Sequence, residues 1–214
     1  AHDVRVVVLD CGIDDGSWLI FHQRLTGRWP KLRFTRLQIR DEQLAHFNLS
    51  GVIDHPTNAN FARLLLPELL PGLDRIIYLD CDIMVDADLG RLATVNLDGA
   101  LVGAVAEAHL PKLGQNLPAN AVTETEADAV AFNSGLLLMD LAAIRRSDLI
   151  QSIVKLPPSF QEKFRDQAAL NYLLRGRWKQ VDDCWNRQRF VTENFTICRD
   201  YPDSLWHFIG KMKP

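Results

Sequence analysis

Two aspartates one residue apart, Asp80 and Asp82, close the apolar run Ile76-Ile77-Tyr78-Leu79 in the stretch YLDCDIMV. Side chains two apart on a strand project to the same face. Two carboxylates held together repel unless a cation or a proton sits between them. The pair is therefore either solvated at a strand end or shares a divalent ion, and oxygen ligands favour Mg²⁺, Mn²⁺ or Ca²⁺. A calcium loop counted from Asp80 fails, because its fifth and twelfth positions are Met84 and Arg91 and the last must be acidic. Other residues with chemical capacity lie further off. His207 stands between Trp206 and Phe208, a setting in which a histidine is more often packed than ligating, and Gly210 and Lys213 follow it. Asp166-Gln167 open the stretch RDQAALN, where an aspartate ordinarily caps a helix. Asn133 and Ser134 lie in FNSG at the entry of an apolar run, and Arg63 lies in NFARLLL, where an isolated arginine is ordinarily solvated.

The elements that must position these residues follow from periodicity. VRVVVLD reads as a strand buried on both faces, with CGIDDGS as its turn. RFTRLQI is a second strand and DEQLAHF one or two helical turns. In TNANFARLLLPELLPGLD, Thr57 or Asn58 caps a helix that Pro67 kinks or breaks. RIIYLDCDIMV is one long strand carrying the carboxylates partway along, and DADLGRLATVNL a short helix. ALVGAVAEA and FNSGLLLMDL are strands, AAIRRSDLIQSIVKL is an amphipathic helix, and RDQAALNYLLRG is a helix stopped by Gly176. WKQVDD and LWHFIG are short late strands. The stretch 108–130 has little pattern and reads as a long functional loop. Alternation of strands and helices predicts an α/β fold with a mostly parallel central sheet flanked by helices, in a single domain over residues 1–214.

Composition removes several function classes. The net charge of -3 leaves no basic excess for a nucleic-acid backbone. The four cysteines form no CxxC pair, which argues against a zinc site and fits reduced thiols in a cytoplasmic protein. No apolar run reaches ~18 residues, so no membrane span is expected.

Taken in order, NFARLLLPELLP, YLDCDIMV, FNSGLLLMDL, RDQAALNYLL and HFIGKMKP resemble the family 8 glycosyltransferases, which include glycogenin and the bacterial lipopolysaccharide galactosyl- and glucosyltransferases. The resemblance implies a GT-A fold and a retaining transfer of a hexose from a UDP-sugar, UDP-glucose or UDP-galactose, to a glycan or glycolipid acceptor such as lipopolysaccharide core. It implies that Asp80 and Asp82 of the motif Asp80-Cys81-Asp82, with His207, hold Mn²⁺, with Mg²⁺ as the substitute, and through it the diphosphate of UDP. A nitrogen ligand suits Mn²⁺ better than Mg²⁺. By the same resemblance Gly210 admits the phosphates, Lys213 neutralises them, and Arg63 lies near the diphosphate and sugar. Asn133 and Ser134 line the donor sugar, Asp166 binds its hydroxyls, and Gln167 lies beside the anomeric carbon. Glu107 stands where the family often has an aspartate, and Asn186 matches an asparagine after a late strand.

The chain departs from the family at its ends. It begins at what resembles the family's second strand, lacks the acidic stretch that holds uridine, and stops at Lys213-Pro214. Asp10, Asp14 and Asp15 do not map onto that missing stretch. The expected location is the cytoplasm or the inner face of the membrane, with peripheral contact supplied by a longer chain. Two other readings compete: a non-catalytic domain of the same fold, and a haloacid-dehalogenase-like phosphatase, against which Met84 stands where Thr or Val is usual.

Overall fold

The structure, a computed structural model, describes residues 4–40, 42–43, 61–156, 165–190 and 201–210. The expected helical turns in DEQLAHF and the caps Thr57 and Asn58 fall outside or at the margin of these residues. Backbone contacts divide the chain into two units, Ala1–Leu65 and Leu66–Pro214.

In the first unit, β1 (Arg5–Asp10) and β2 (Arg33–Gln38) pair in parallel and α1 (Asp15–Arg28) connects them. The expectation that β1 is buried on both faces is corrected. Val6 to Leu9 are half-buried, because among the described strands β1 pairs only with β2. The turn after β1 explains its aspartates. Gly12 and Ile13 donate backbone N–H bonds to Asp10 Oδ1 at 2.9 and 2.6 Å, and Arg36 Nε donates to Oδ2 at 2.6 Å. Burial alone would raise the Asp10 carboxyl; these donors outweigh it and hold the pKa below the usual carboxylate value. Asp14 caps α1 by accepting from Ser17 N at 2.9 Å. The 3-10 turn Ala62–Leu65 carries Arg63, which is buried rather than solvated.

The second unit opens with α2 (Leu66–Leu69). The expected break at Pro67 falls at the junction before Leu66 and leaves Pro67 in the first helical turn, where a backbone N–H has no intrahelical acceptor to lose. The run expected to form one long strand divides in two. β3 (Arg75–Leu79) belongs to a four-stranded sheet of order β3-β6-β5-β7, and β4 (Ile83–Asp86) to a three-stranded sheet of order β4-β9-β8. Residues 80–82 are the turn between them, closed by Ile83 N donating to Asp80 O at 3.2 Å.

β5 (Val102–Ala106), β6 (Phe132–Asp140) and β7 (Trp178–Gln180) complete the first of these sheets; β8 (Arg187–Phe190) and β9 (Ser204–Ile209) complete the second. The mostly parallel expectation needs refinement. β1–β2, β5–β7 and β8–β9 are parallel, whereas β3–β6, β5–β6 and β4–β9 are antiparallel. The four-stranded sheet is mixed because β6 runs against both its neighbours, and the three-stranded sheet because β4 runs against β9. Continuous apolar runs cannot show direction, since a strand buried on both faces has the same pattern either way.

The core of this unit gathers Leu92, Leu97, Val105, Leu136, Leu138, Val181, Trp185 and Leu205. The expected short helix in DADLGRLATVNL is α3 (Leu89–Ala93), and the stretch expected as a loop carries two short helices, α4 (Leu113–Asn116) and α5 (Glu124–Ala127), on a neck closed by the bridge Lys112–Val130. Thr123 and Glu126 form a capping box on α5, a T-x-x-E signal readable in the sequence. The single amphipathic helix expected after β6 is two, α6 (Leu141–Arg146) and α7 (Leu149–Val154). Ser147 divides them: its hydroxyl donates to Ile144 O at 2.8 Å and accepts from Leu149 N at 3.2 Å. The next helix, α8 (Arg165–Leu173), carries Asp166 and Gln167, and Gly176 after it adopts φ +68°, the left-handed conformation its stop position requires. Among the described residues no helix is long and apolar enough to cross a membrane.

Candidate active site

The turn 80–82 is held from two sides. Asp80 N donates to Gly135 O on β6 at 2.8 Å, and Phe208 N on β9 donates to Asp82 O at 3.0 Å. These bonds set the two aspartates against His207. Its Nε2 lies 3.2 Å from Asp82 Oδ1 and 4.0 Å from Asp80 Oδ2, and one ligand atom from each of the three residues falls within 4.8 Å of the others. The carboxylates therefore converge across a turn, not along one strand face. His207 is buried, while both carboxylates keep partial access to solvent.

The donor set fits a divalent cation. Cis ligands about 2.1 Å from a metal stand about 3 Å apart, which is the Asp82–His207 separation. Two carboxylate oxygens with one imidazole nitrogen suit Mn²⁺ better than the all-oxygen preference of Mg²⁺ or Ca²⁺. Tyr78 supports the set by donating its hydroxyl to Asp80 Oδ1 at 2.8 Å. In the sequence Tyr78 reads as part of the apolar run 76–79, and its place two residues before Asp80 is the signal for this contact.

A chain of buried polar groups runs from the imidazole to α8. His207 Nδ1 lies 3.0 Å from Asn186 Oδ1, and Asn186 Nδ2 donates to Asn133 Oδ1 at 2.9 Å. Asn133 Nδ2 donates to Glu107 Oε2 at 2.9 Å, and Gln167 Nε2 donates to the same oxygen at 3.1 Å. Ser134 N donates to Gln167 Oε1 at 3.1 Å. His109 N donates to Glu107 Oε1 at 2.9 Å, so this carboxylate accepts from three N–H groups. Asn133 and Ser134 reach these partners because β6 bulges there. The pairing of β5 with β6 shifts register between Gly103 and Val105, a local device that re-aims side chains. Asn171 braces the same strand, accepting from Phe132 N and donating to Phe132 O, both at 2.8 Å.

Gly135 is the least replaceable residue of the site. A Cβ there would stand 2.2 Å from His207 Cε1, 2.7 Å from Nδ1 and 3.0 Å from Asn133 Oδ1. β6 passes through Gly135, and the missing side chain makes room for the imidazole.

The structure thus brings together Asp80, Asp82, Asn133, Ser134, Gln167 and His207, with Glu107 and Asn186 as the links. Cys81 lies in the turn with its side chain exposed. Asp166 is buried in the first turn of α8. Gly210 ends β9 with φ +94°, a conformation that favours glycine. Arg63 belongs to the first unit, and Lys213 lies outside the described residues.

The family described as Glycosyl transferase family 8 matches residues 28–214. General stress protein A of Bacillus subtilis is 25% identical over 178 residues, covering 75% of this chain and 60% of that protein. Glycosyltransferase GlyF of Streptococcus pneumoniae is 22% identical over 214 residues, covering 94% of this chain and 50% of its own. The chain spans about half of the length of such curated relatives. The crystal structure of the galactosyltransferase LgtC in complex with donor and acceptor sugar analogues matches with a TM-score of 0.70 and 24% identity, over 99% of this chain and 78% of that one. The fold is that of the GT-A glycosyltransferases.

Proposed function

The chain belongs to glycosyl transferase family 8, and from that premise we propose that it carries the donor-binding and catalytic site of a retaining hexosyltransferase. Its donor is a UDP-sugar, UDP-glucose or UDP-galactose, and its acceptor a glycan such as lipopolysaccharide core. Asp80, Asp82 and His207 hold a divalent cation, Mn²⁺ in our reading, and the single observation that carries this is the convergence of their ligand atoms within 4.8 Å. A cation bound there neutralises the charge that develops on a diphosphate leaving group. We read the two units as parts of one glycosyltransferase domain, because the family match at residues 28–214 runs across their boundary.

The remaining roles fall to the chain's own side chains. Asn133 and Ser134 line the sugar, Asp166 takes its hydroxyls, and Gln167 lies beside the anomeric carbon. Gln167 is pre-set for that place, since Ser134 N and Glu107 hold both ends of its amide. Gly210 and Lys213 take the phosphate side in this reading. Retention of configuration fits attack from the leaving-group face. The glycosidic C–O bond to UDP breaks, the acceptor oxygen bonds to the anomeric carbon on the same side, and its proton passes to the departing phosphate oxygen. Glu107, the carboxylate bonded to Gln167, is a poor nucleophile for a covalent alternative because three N–H donors already engage it.

The test is calorimetric titration of UDP with Mn²⁺ and with EDTA, for the parent and Asp82→Ala. Metal-dependent binding that the variant loses supports the reading and directs a screen of UDP-hexoses for turnover. Equal heats with and without metal refute it.

A further inference from the structure

The polarity of the buried chain is set at two points by groups whose role is fixed, the backbone amides of Gly135 and Ser134, which can only donate. Gly135 N donates to Asn133 Oδ1 at 3.0 Å, so that atom is the oxygen of the amide. Its second neighbour, Asn186, must therefore present its NH₂ group, as it does at 2.9 Å. With its amide turned that way, Asn186 faces His207 Nδ1 with an oxygen at 3.0 Å. An oxygen accepts, so Nδ1 carries a ring proton, and Nε2 is the nitrogen that faces Asp82 and Asp80 and is left to ligate. Turning the Asn186 amide over would set two N–H groups against each other if Nδ1 kept its proton, and it would still oppose two oxygens at Asn133. At the other end, Ser134 N fixes Gln167 Oε1 as an acceptor and so aims Nε2 at Glu107, which also receives Asn133 Nδ2. No solvent can replace these partners, because Asn186 is 1% exposed and Asn133 5% exposed.

We propose that Asn186 is the positioning residue of this site. It holds His207 in the tautomer that ligates through Nε2, and it transmits the same orientation through Asn133 to Glu107 and Gln167. The cation end and the sugar end are then one hydrogen-bonded unit whose polarity originates in the backbone of β6. The part concerning metal affinity rests on the reading of Asp80, Asp82 and His207 as ligands; the part concerning the tautomer does not. Removing an outer partner of a ligating histidine typically weakens metal binding roughly 10–100-fold.

The experiment uses the whole chain in three forms, the parent, Asn186→Ala and Asn186→Asp. Long-range ¹H–¹⁵N spectra of histidine-labelled, metal-free protein, assigned with His207→Gln, read the His207 tautomer. Electron paramagnetic resonance titration reads Mn²⁺ affinity, and calorimetry reads UDP-glucose and UDP-galactose. The parent should show a proton on Nδ1 throughout. Asn186→Ala should show a mixture and bind Mn²⁺ roughly 10–100-fold more weakly. Asn186→Asp still accepts from Nδ1 but cannot donate to Asn133, so it should keep the parent tautomer and Mn²⁺ affinity while losing affinity for the UDP-sugar. An Nε2–H or mixed tautomer in the parent overturns the proposal, as does an Asn186→Ala variant with parental tautomer and Mn²⁺ affinity. Should Asn186→Ala not fold, unchanged UDP-sugar affinity in Asn186→Asp overturns it alone. If no form binds Mn²⁺, the ligand reading fails, and the tautomer spectra decide the role of Asn186 separately.

Discussion

Replacing Gly135 with alanine tests the packing on which the site depends. The added Cβ would meet His207 Cε1 at 2.2 Å and Nδ1 at 2.7 Å, against a comfortable carbon–carbon contact of about 3.5–4.0 Å. Something must yield by more than an ångström. The imidazole is buried on β9, where its backbone is held between β4 and β8, at Ile83 and Gln188. Overpacking of this kind costs about 1–3 kcal/mol. A displacement of about 1 Å in a positioned catalytic group costs about a hundredfold in rate. Gly135→Ala should therefore lower urea-denaturation stability by about 1–3 kcal/mol and weaken Mn²⁺ binding at least tenfold. Gly27→Ala is the control, because a Cβ at Gly27 on α1 meets nothing within 4 Å. It should be neutral or stabilising by up to ~1 kcal/mol through helix propensity. A Gly135→Ala protein with parental stability and parental Mn²⁺ affinity would refute the packing argument.

Two further outcomes follow from ionisable groups. Burial pushes the Cys184 thiol up to about 11, with Asp182 beside it adding to the rise. At pH 8 its thiolate is then roughly two-hundredfold scarcer than that of an ordinary thiol near 8.5. Mass-spectrometric mapping after iodoacetamide should show Cys184 lagging far behind the exposed Cys81; equal rates would contradict the assigned environment. For Asp10 the folded pKa is depressed, so its stabilisation is complete above the unfolded value of about 3.9 and is lost as pH falls through the folded value. The stability difference between parent and Asp10→Asn should be largest near neutrality and shrink toward pH 3, measured by urea denaturation at both; a gap that widens in acid would reverse the assigned sign.

Local chemistry was enough to place much of this protein. β-branched and leucine runs marked β1, β3, β5 and β6; burial on both faces is the reason for β5 and β6, whereas β1 and β3 are half-buried. Gly176 marked the end of α8, and the order of five short motifs pointed to the family. The candidate ligands Asp80, Asp82 and His207 were legible as residue types in a familiar order. Their convergence was not. It depends on a turn that sends β3 and β4 into different sheets and on the register that sets Ile83 opposite His207, and a one-residue slip would turn those side chains to the other face. The role of Gly135 was equally hidden, since an absent side chain has no signal until its neighbour is known. The same holds for Asn186 and Glu107. Their importance lies in which way each amide or carboxylate points, and that is decided by two backbone N–H groups on β6 that only the folded chain brings within reach.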